Sequence, residues 1–184
     1  MKKIILTLVA FIFSVAVQAQ KILPEIKVGT TLNCTAFVQG QEYPLLLSVK
    51  SISGPVSIGW AVDGYGEGTF EMSTLALENG IKLATVTQPT LGATKLADNE
   101  TFGIISKATY KSLVDNKVFI YNGLNFKVKT TDANPMKMGG KEIDATHVVS
   151  EDGKVELWVL NNPTFPFILQ SLGLSTDIVV DQIK

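Results

Sequence analysis

Past residue 20 the chain is organised by alternation of apolar and polar positions with a period of two, the spacing that puts successive side chains on opposite faces of a strand. Val56, Ile58, Trp60 and Val62 share one face, with Ser57, Gly59 and Ala61 on the other. Leu124, Phe126 and Val128 alternate with Asn125, Lys127 and Lys129, the signature of a strand with one face in water. Over 141–150, Ile143, Ala145, His147 and Val149 oppose Glu142, Asp144, Thr146 and Val148, and over 154–160 Val155, Leu157 and Val159 oppose Glu156, Trp158 and Leu160. Further runs at 29–38, 43–52, 67–72, 81–87, 117–121 and 175–183 fit strands with more mixed faces. Asn122-Gly123 predicts a two-residue hairpin, and Asp152-Gly153 is read the same way. Ser53-Gly54-Pro55 and Gly139-Gly140 mark two more breaks. The stretches 88–103 and 161–174 lack a clear period.

Helical spacing is confined to two places. Ser106 is a candidate N-cap for a helix near 106–115, with Tyr110, Leu113 and Val114 on one face. A shorter helix is expected near 73–78, begun by Ser73 and followed by Gly80. The expected class is mainly β, a single antiparallel sheet carrying one or two helices. No linker or repeat divides the chain, so 20–184 reads as a single β-rich domain.

The first residues follow another rule. Lys2 and Lys3 precede an apolar run from Ile4 to Val17, and Val17-Gln18-Ala19 supplies a small residue before a cleavage point. Residues 1–19 therefore read as a secretory signal peptide, which places the protein outside the cytoplasm, in the periplasm or beyond the cell of a bacterium. The run is too short to span, rising about 21 Å against a hydrocarbon core of about 30 Å. No later stretch is apolar enough for a membrane span after cleavage.

Composition then narrows the chemistry. The 184 residues hold 16 Lys+Arg, all of them lysine, against 17 acids. Without the leader's two lysines, 14 remain and the net charge is −3. A mildly acidic chain carries no electrostatic footprint for nucleic acid. Without arginine it also lacks the planar fork favoured for carboxylates and phosphates. A single histidine and a single cysteine cannot build a Cys/His zinc site within one chain. No metal site or cofactor is expected.

Individual candidates mostly take structural readings. Asp144 and His147 are three apart, which on a strand puts them on opposite faces, and His147 shares its face with apolar residues, so it reads as a core histidine. Cys34, in a strand-like run, reads as a small buried residue. Gly64-Tyr65-Gly66-Glu67-Gly68 has strands on both sides and no helix opening at its last glycine, so it reads as a hairpin turn and not a phosphate loop. No G-x-S-x-G elbow or calcium-loop spacing occurs. Trp60, Tyr65, Tyr121 and Trp158 are aromatics available to a sugar- or lipid-binding surface, or to the core.

The segment from His147 through Ser150-Glu151-Asp152-Gly153, Trp158 and Asn162-Pro163 to Phe165-Pro166-Phe167-Ile168-Leu169 resembles the ending of small exported bacterial β-proteins of unknown function. These are similar in architecture to the curved half-barrels of periplasmic lipoprotein carriers. The resemblance covers about 40 residues of the C-terminal third and implies a curved sheet or partly open barrel with a helix against it. A fold likeness of this kind carries no catalytic residues. The expectation is an exported, non-enzymatic domain that binds an apolar small molecule or an envelope protein, with Trp60, Tyr65, Trp158, Phe165 and Phe167 as the candidate surface and 161–174 as a rim or lid. The alternatives are an interaction module with a filled core, and a hydrolase of envelope polymers using His147 or paired carboxylates.

Overall fold

The computed structural model describes residues 21–84, 88–130 and 135–184, so the leader reading of 1–19 lies outside the described residues. The first four strands, β1 (Thr31–Val38), β2 (Gln41–Ser51), β3 (Val56–Val62) and β4 (Gly66–Met72), form an antiparallel meander. A crossing segment follows, with α1 (Thr74–Asn79), β5 (Lys82–Leu83), β6 (Gly92–Lys95), β7 (Glu100–Thr101) and α2 (Lys107–Asn116). The chain then returns through β8 (Val118–Tyr121), β9 (Leu124–Val128), β10 (Lys137–Met138), β11 (Lys141–Glu142), β12 (Ala145–Ser150), β13 (Glu156–Leu160), β14 (Ile168–Leu172) and β15 (Thr176–Ile183).

Eleven strands build one sheet in the order β6-β4-β3-β2-β1-β15-β14-β13-β12-β9-β8. The chain starts at the middle, works out to one edge, crosses to the other and comes back, so that its last strand lies beside its first. Leu32 faces Ile183 and Val38 faces Thr176 across that seam. Every pair in this sheet is antiparallel except β4–β6, so the fold is the expected mainly antiparallel β one, with a sheet that is mixed at that edge. The β6 strand follows a crossover, and a strand returning that way can pair parallel. The two edges do not meet, and the sheet stays open. Irregularities in register at Asn33/Cys34, Val49/Ser51 and Trp158/Val159 bend the strands.

Local chemistry explains the connections. Asn122 (φ 53) and Gly123 (φ 75) make the two-residue hairpin with both residues left-handed. The Asp152-Gly153 turn is longer than expected: Ser150 N donates to Val155 O, leaving four residues in the loop. There the Ser150 hydroxyl donates to Asp152 and accepts from Val155 N, which holds the wider turn closed. Both helices begin as the sequence predicts, with Ser73 Oγ accepting from Ala76 N and Ser106 Oγ from Thr109 N. On α2, however, Thr109 and Leu113 are buried while Val114 is 46% exposed, so the packed face is rotated from the expected one.

Other departures concern strand continuity. The run 141–150 breaks at residues 143–144, where Ile22 bridges to Ile143 and Asp144 N donates to Ile22 O. Of 81–87 only Lys82–Leu83 forms a described strand, and 85–87 lie outside the described residues. Residues 161–174 were expected as a rim or lid, yet they contribute β14, a full member of the sheet. Its alternation is masked because both of its faces are covered: Ile168, Leu169 and Ser171 are all buried.

Two clusters of buried side chains fill the interior. Ile105, Leu113, Phe119, Tyr121, Val148, Leu157 and Val159 pack α2 and the β8–β9 hairpin against the second half of the sheet. Tyr121 is held there by its hydroxyl, which bonds Thr101 and donates to Ile104 O at 3.0 Å. The first half contributes Leu32, Leu47, Val49, Ile58, Trp60, Phe70 and Met72, capped by Phe102 and Phe167. At the β14–β15 turn Gly173 has φ +88, and an added Cβ would sit 2.0 Å from Lys154 O. Gly173→Ala is therefore expected to lower stability by more than about 1 kcal/mol, read from denaturant midpoints with an unchanged m-value. An unaltered midpoint would show that the turn is not held this tightly.

Candidate functional site

The space between helix and sheet is not uniform. Under α2 it is packed, but over the first half of the sheet it opens into a cavity of about 490 Å³. That volume falls within the range of small-molecule sites, about 300–1,000 Å³. The floor comes from inward positions of β1 to β4, chiefly Leu47, Trp60 and Phe70, all buried. Phe102 from the crossing segment and Phe167 ahead of β14 wall the cavity, and Gly103 lies beside Phe167. An added Cβ at Gly103 would stand 2.9 Å from the Phe167 ring, so glycine is what lets the crossing segment approach.

The mouth differs in character. Gln39, Gln41, Tyr43, Tyr65 and Gln88 line it and are exposed. The Tyr65 hydroxyl donates to Pro89 O at 2.9 Å and ties the β3–β4 turn to the crossing segment. None of the described lining residues is charged. Two lining residues carry a buried polar atom with no hydrogen-bond partner among the described residues: the Trp60 indole nitrogen and the Thr176 hydroxyl oxygen. Buried polar groups are ordinarily paired, so both are candidates for a partner that the chain does not itself supply. The Trp60 ring lies over Gly68, where a Cβ would come within 2.8 Å of it, and stands 6.0 Å from the Tyr65 ring.

Of the five expected surface residues, Trp60, Tyr65 and Phe167 come together around this cavity. Phe165 does not line it; it is buried in the first cluster with its ring stacked 6.1 Å from that of Phe167. Trp158 is on the other side of the sheet. Trp158 pairs with Gln170 and Gln170 with Val179, while Val180 pairs with Cys34 on the face that carries Leu45, Leu47 and Trp60. Its neighbours on that outer face are His147 and the β10–β11 hairpin, which brings Met136 and Met138 beside a second, shallower cleft. Leu83 and Phe102 also line the cavity and were not legible as such, because they sit in short or aperiodic segments, whereas Leu174 ends the stretch 161–174 expected at the rim.

His147 is buried, as its face indicated, and it is also hydrogen-bonded. Its Nε2 lies 2.6 Å from Glu156 Oε2, and its ring stacks on Trp158 at 3.9 Å between centroids. A carboxylate only accepts, so Nε2 carries the proton. Lys129 Nζ donates to both Glu156 oxygens at 3.1 Å. Burial pushes the Glu156 carboxyl up, but the hydrogen bonds from Lys129 and His147 more than offset it and hold it below its ordinary 4.5. Asp144 does not pair with His147 across the strand; it accepts from Asn161 Nδ2 at 2.8 Å. Cys34 is buried, its thiol pushed up to about 12 by burial and further by Asp181, so it is a packing residue and not a nucleophile. Among the described residues no group of three or more His, Cys, Asp or Glu could hold a metal ion, and no helix is long and apolar enough to cross a membrane.

No known protein family, no curated protein and no solved structure matches the chain. The cavity's own geometry is therefore the ground for a functional reading.

The Glu156 site makes a pH prediction. A carboxyl whose folded pKa is depressed stabilises the fold above its unfolded value, and that contribution disappears as pH falls through the folded one. Glu156→Gln is expected to cost about 1–2 kcal/mol at pH 7. The gap to the parent should narrow and then close as pH falls through the carboxylate range in urea melts run across the acid range. A gap that stays constant with pH would remove the charged form of Glu156 from the account.

Proposed function

We propose that this protein is an exported, non-enzymatic β-domain that binds an apolar small molecule at the bacterial cell envelope. The observation that carries the reading is the hollow itself. Native interiors close-pack, and a void lined by Leu47, Phe70, Phe102 and Phe167 forgoes dispersion contacts that an occupant would restore. An interaction module without a ligand has no need of such a space. The hydrolase alternative loses its histidine, because His147 is stacked on Trp158 and bonded to Glu156 on the face away from the cavity. The export half of the reading rests on Lys2, Lys3 and the apolar run to Val17.

A buried aromatic placed in the space tests the reading. Ala36 is buried, lines the cavity and sits on β1, where a larger side chain projects inward. The parent protein is expected to enhance the fluorescence of the uncharged dye N-phenyl-naphthylamine with saturable binding. Ala36→Phe should weaken that binding by at least about tenfold while keeping the circular dichroism spectrum, the loss of about 1.4 kcal/mol. No saturable binding by the parent, or equal binding by a folded Ala36→Phe, would overturn the reading.

A further inference from the structure

Resting on the cavity reading, we infer that the ligand is an uncharged amphiphile: a hydrocarbon chain whose head is a neutral oxygen-bearing group such as an ester, amide or alcohol. The distribution of charge carries this. The chain holds 16 lysines and 17 acids, yet none of the described ones lines the cavity, and its mouth is ringed by the amides Gln39, Gln41 and Gln88 and by two tyrosines. Residues 85–87, Thr-Val-Thr, bring no charge to the same segment by sequence. A carboxylate, phosphate or ammonium head drawn into this space would lose water with no counter-charge to replace it.

The head is not expected to be absent either. The Trp60 indole is a donor only, and it is buried at the cavity floor without an acceptor among the described residues. Thr176 adds a hydroxyl without a partner where β15 meets the end of β1. The other hydroxyls lining the cavity are already engaged: Ser171 donates to Asp177 and accepts from Ile178 N, Tyr65 donates to Pro89 O and Tyr43 to Gln41 Oε1. The Trp60 indole asks for an acceptor oxygen at the floor, and the Thr176 hydroxyl offers a second polar point nearer the mouth, level with Val38 and Gln41. The space, about 490 Å³, is of the size that small-molecule sites have, which suits a chain of medium length with a small head.

Three competitors decide the matter against the bound N-phenyl-naphthylamine dye, using the full folded protein: monodecanoylglycerol, dodecanoate and dodecyltrimethylammonium. The neutral compound is expected to displace the dye at least about tenfold more tightly than either ion. Trp60→Phe and Thr176→Val, each with its circular dichroism spectrum retained, should weaken monodecanoylglycerol several-fold more than they weaken the dye, which has no acceptor oxygen to lose; an equal loss for both ligands overturns the acceptor-oxygen assignment. If the dye binds but dodecanoate or the ammonium compound competes as well as the neutral one, the neutral head is wrong and the cavity reading stands. If neither variant changes the affinity for monodecanoylglycerol, the acceptor-oxygen assignment is wrong. If the dye itself does not bind, both readings fall together.

Discussion

The pairing of the first strand with the last is the constraint on which the rest of the structure depends. Leu32 to Val38 run against Thr176 to Ile183, and the seam is finished by reciprocal bonds between the backbones of Thr31 and Lys184. Because that seam lies in the middle of the sheet, the chain must leave the centre along one wing and return along the other. A single connection, from the end of β4 to the start of β8, has to cross between the wings. The crossing segment carries both helices and lies over the inner face. Ring closure over so many residues is entropically costly and makes the fold one of long-range contacts, the kind that forms slowly.

The crossing segment covers the two wings unequally, and side-chain size accounts for the difference. Where α2 passes, Leu113 and Ile105 meet Leu157, Val159 and Val148, and the stacked rings of Phe119 and Phe126 close the gap beyond. Where the segment passes over β1 to β4, Phe102 reaches the floor at Phe70, 4.3 Å between ring centroids, and beside it stand smaller described groups such as Ala84, Pro89 and Gly103. Among the described residues, Leu47 and Trp60 are left facing open space. The cavity is thus a consequence of which residues the crossing places over which wing, and the Tyr65–Pro89 bond fixes that placement at the mouth.

Much of the sheet was legible because most strands have one covered face, and alternation reports that directly. The alternation of 56–62 and 124–128, the Asn122-Gly123 hairpin and the Ser73 and Ser106 caps all translate into the structure. Legibility failed where burial is two-sided or where an element owes its existence to a distant partner. Strand β14 has no alternation because both its faces are covered, and the four residues of β6 form a strand only by lying parallel to β4. The candidate surface was legible in Trp60, Tyr65 and Phe167, which share the cavity, but not in its division between the two faces. Trp60 and Trp158 sit on similar-looking strands, and only the register through β1, β15 and β14 shows that they point to opposite sides of the sheet. His147 was legible as buried, but its Glu156 partner was not: Glu156 lies opposite Val149, and His147, opposite Trp158, reaches it only diagonally across the β12–β13 pair.

The central claim is that the hollow over the first wing takes a ligand whose oxygen meets the Trp60 indole. With only two tryptophans in the chain, the two indole N–H resonances in a nitrogen–proton NMR spectrum report on the two sides of the sheet separately. On titration with monodecanoylglycerol, the Trp60 resonance should move to the downfield position of a hydrogen-bonded indole while that of Trp158 stays in place. A Trp60 signal that does not respond, or a response confined to Trp158, would contradict the account.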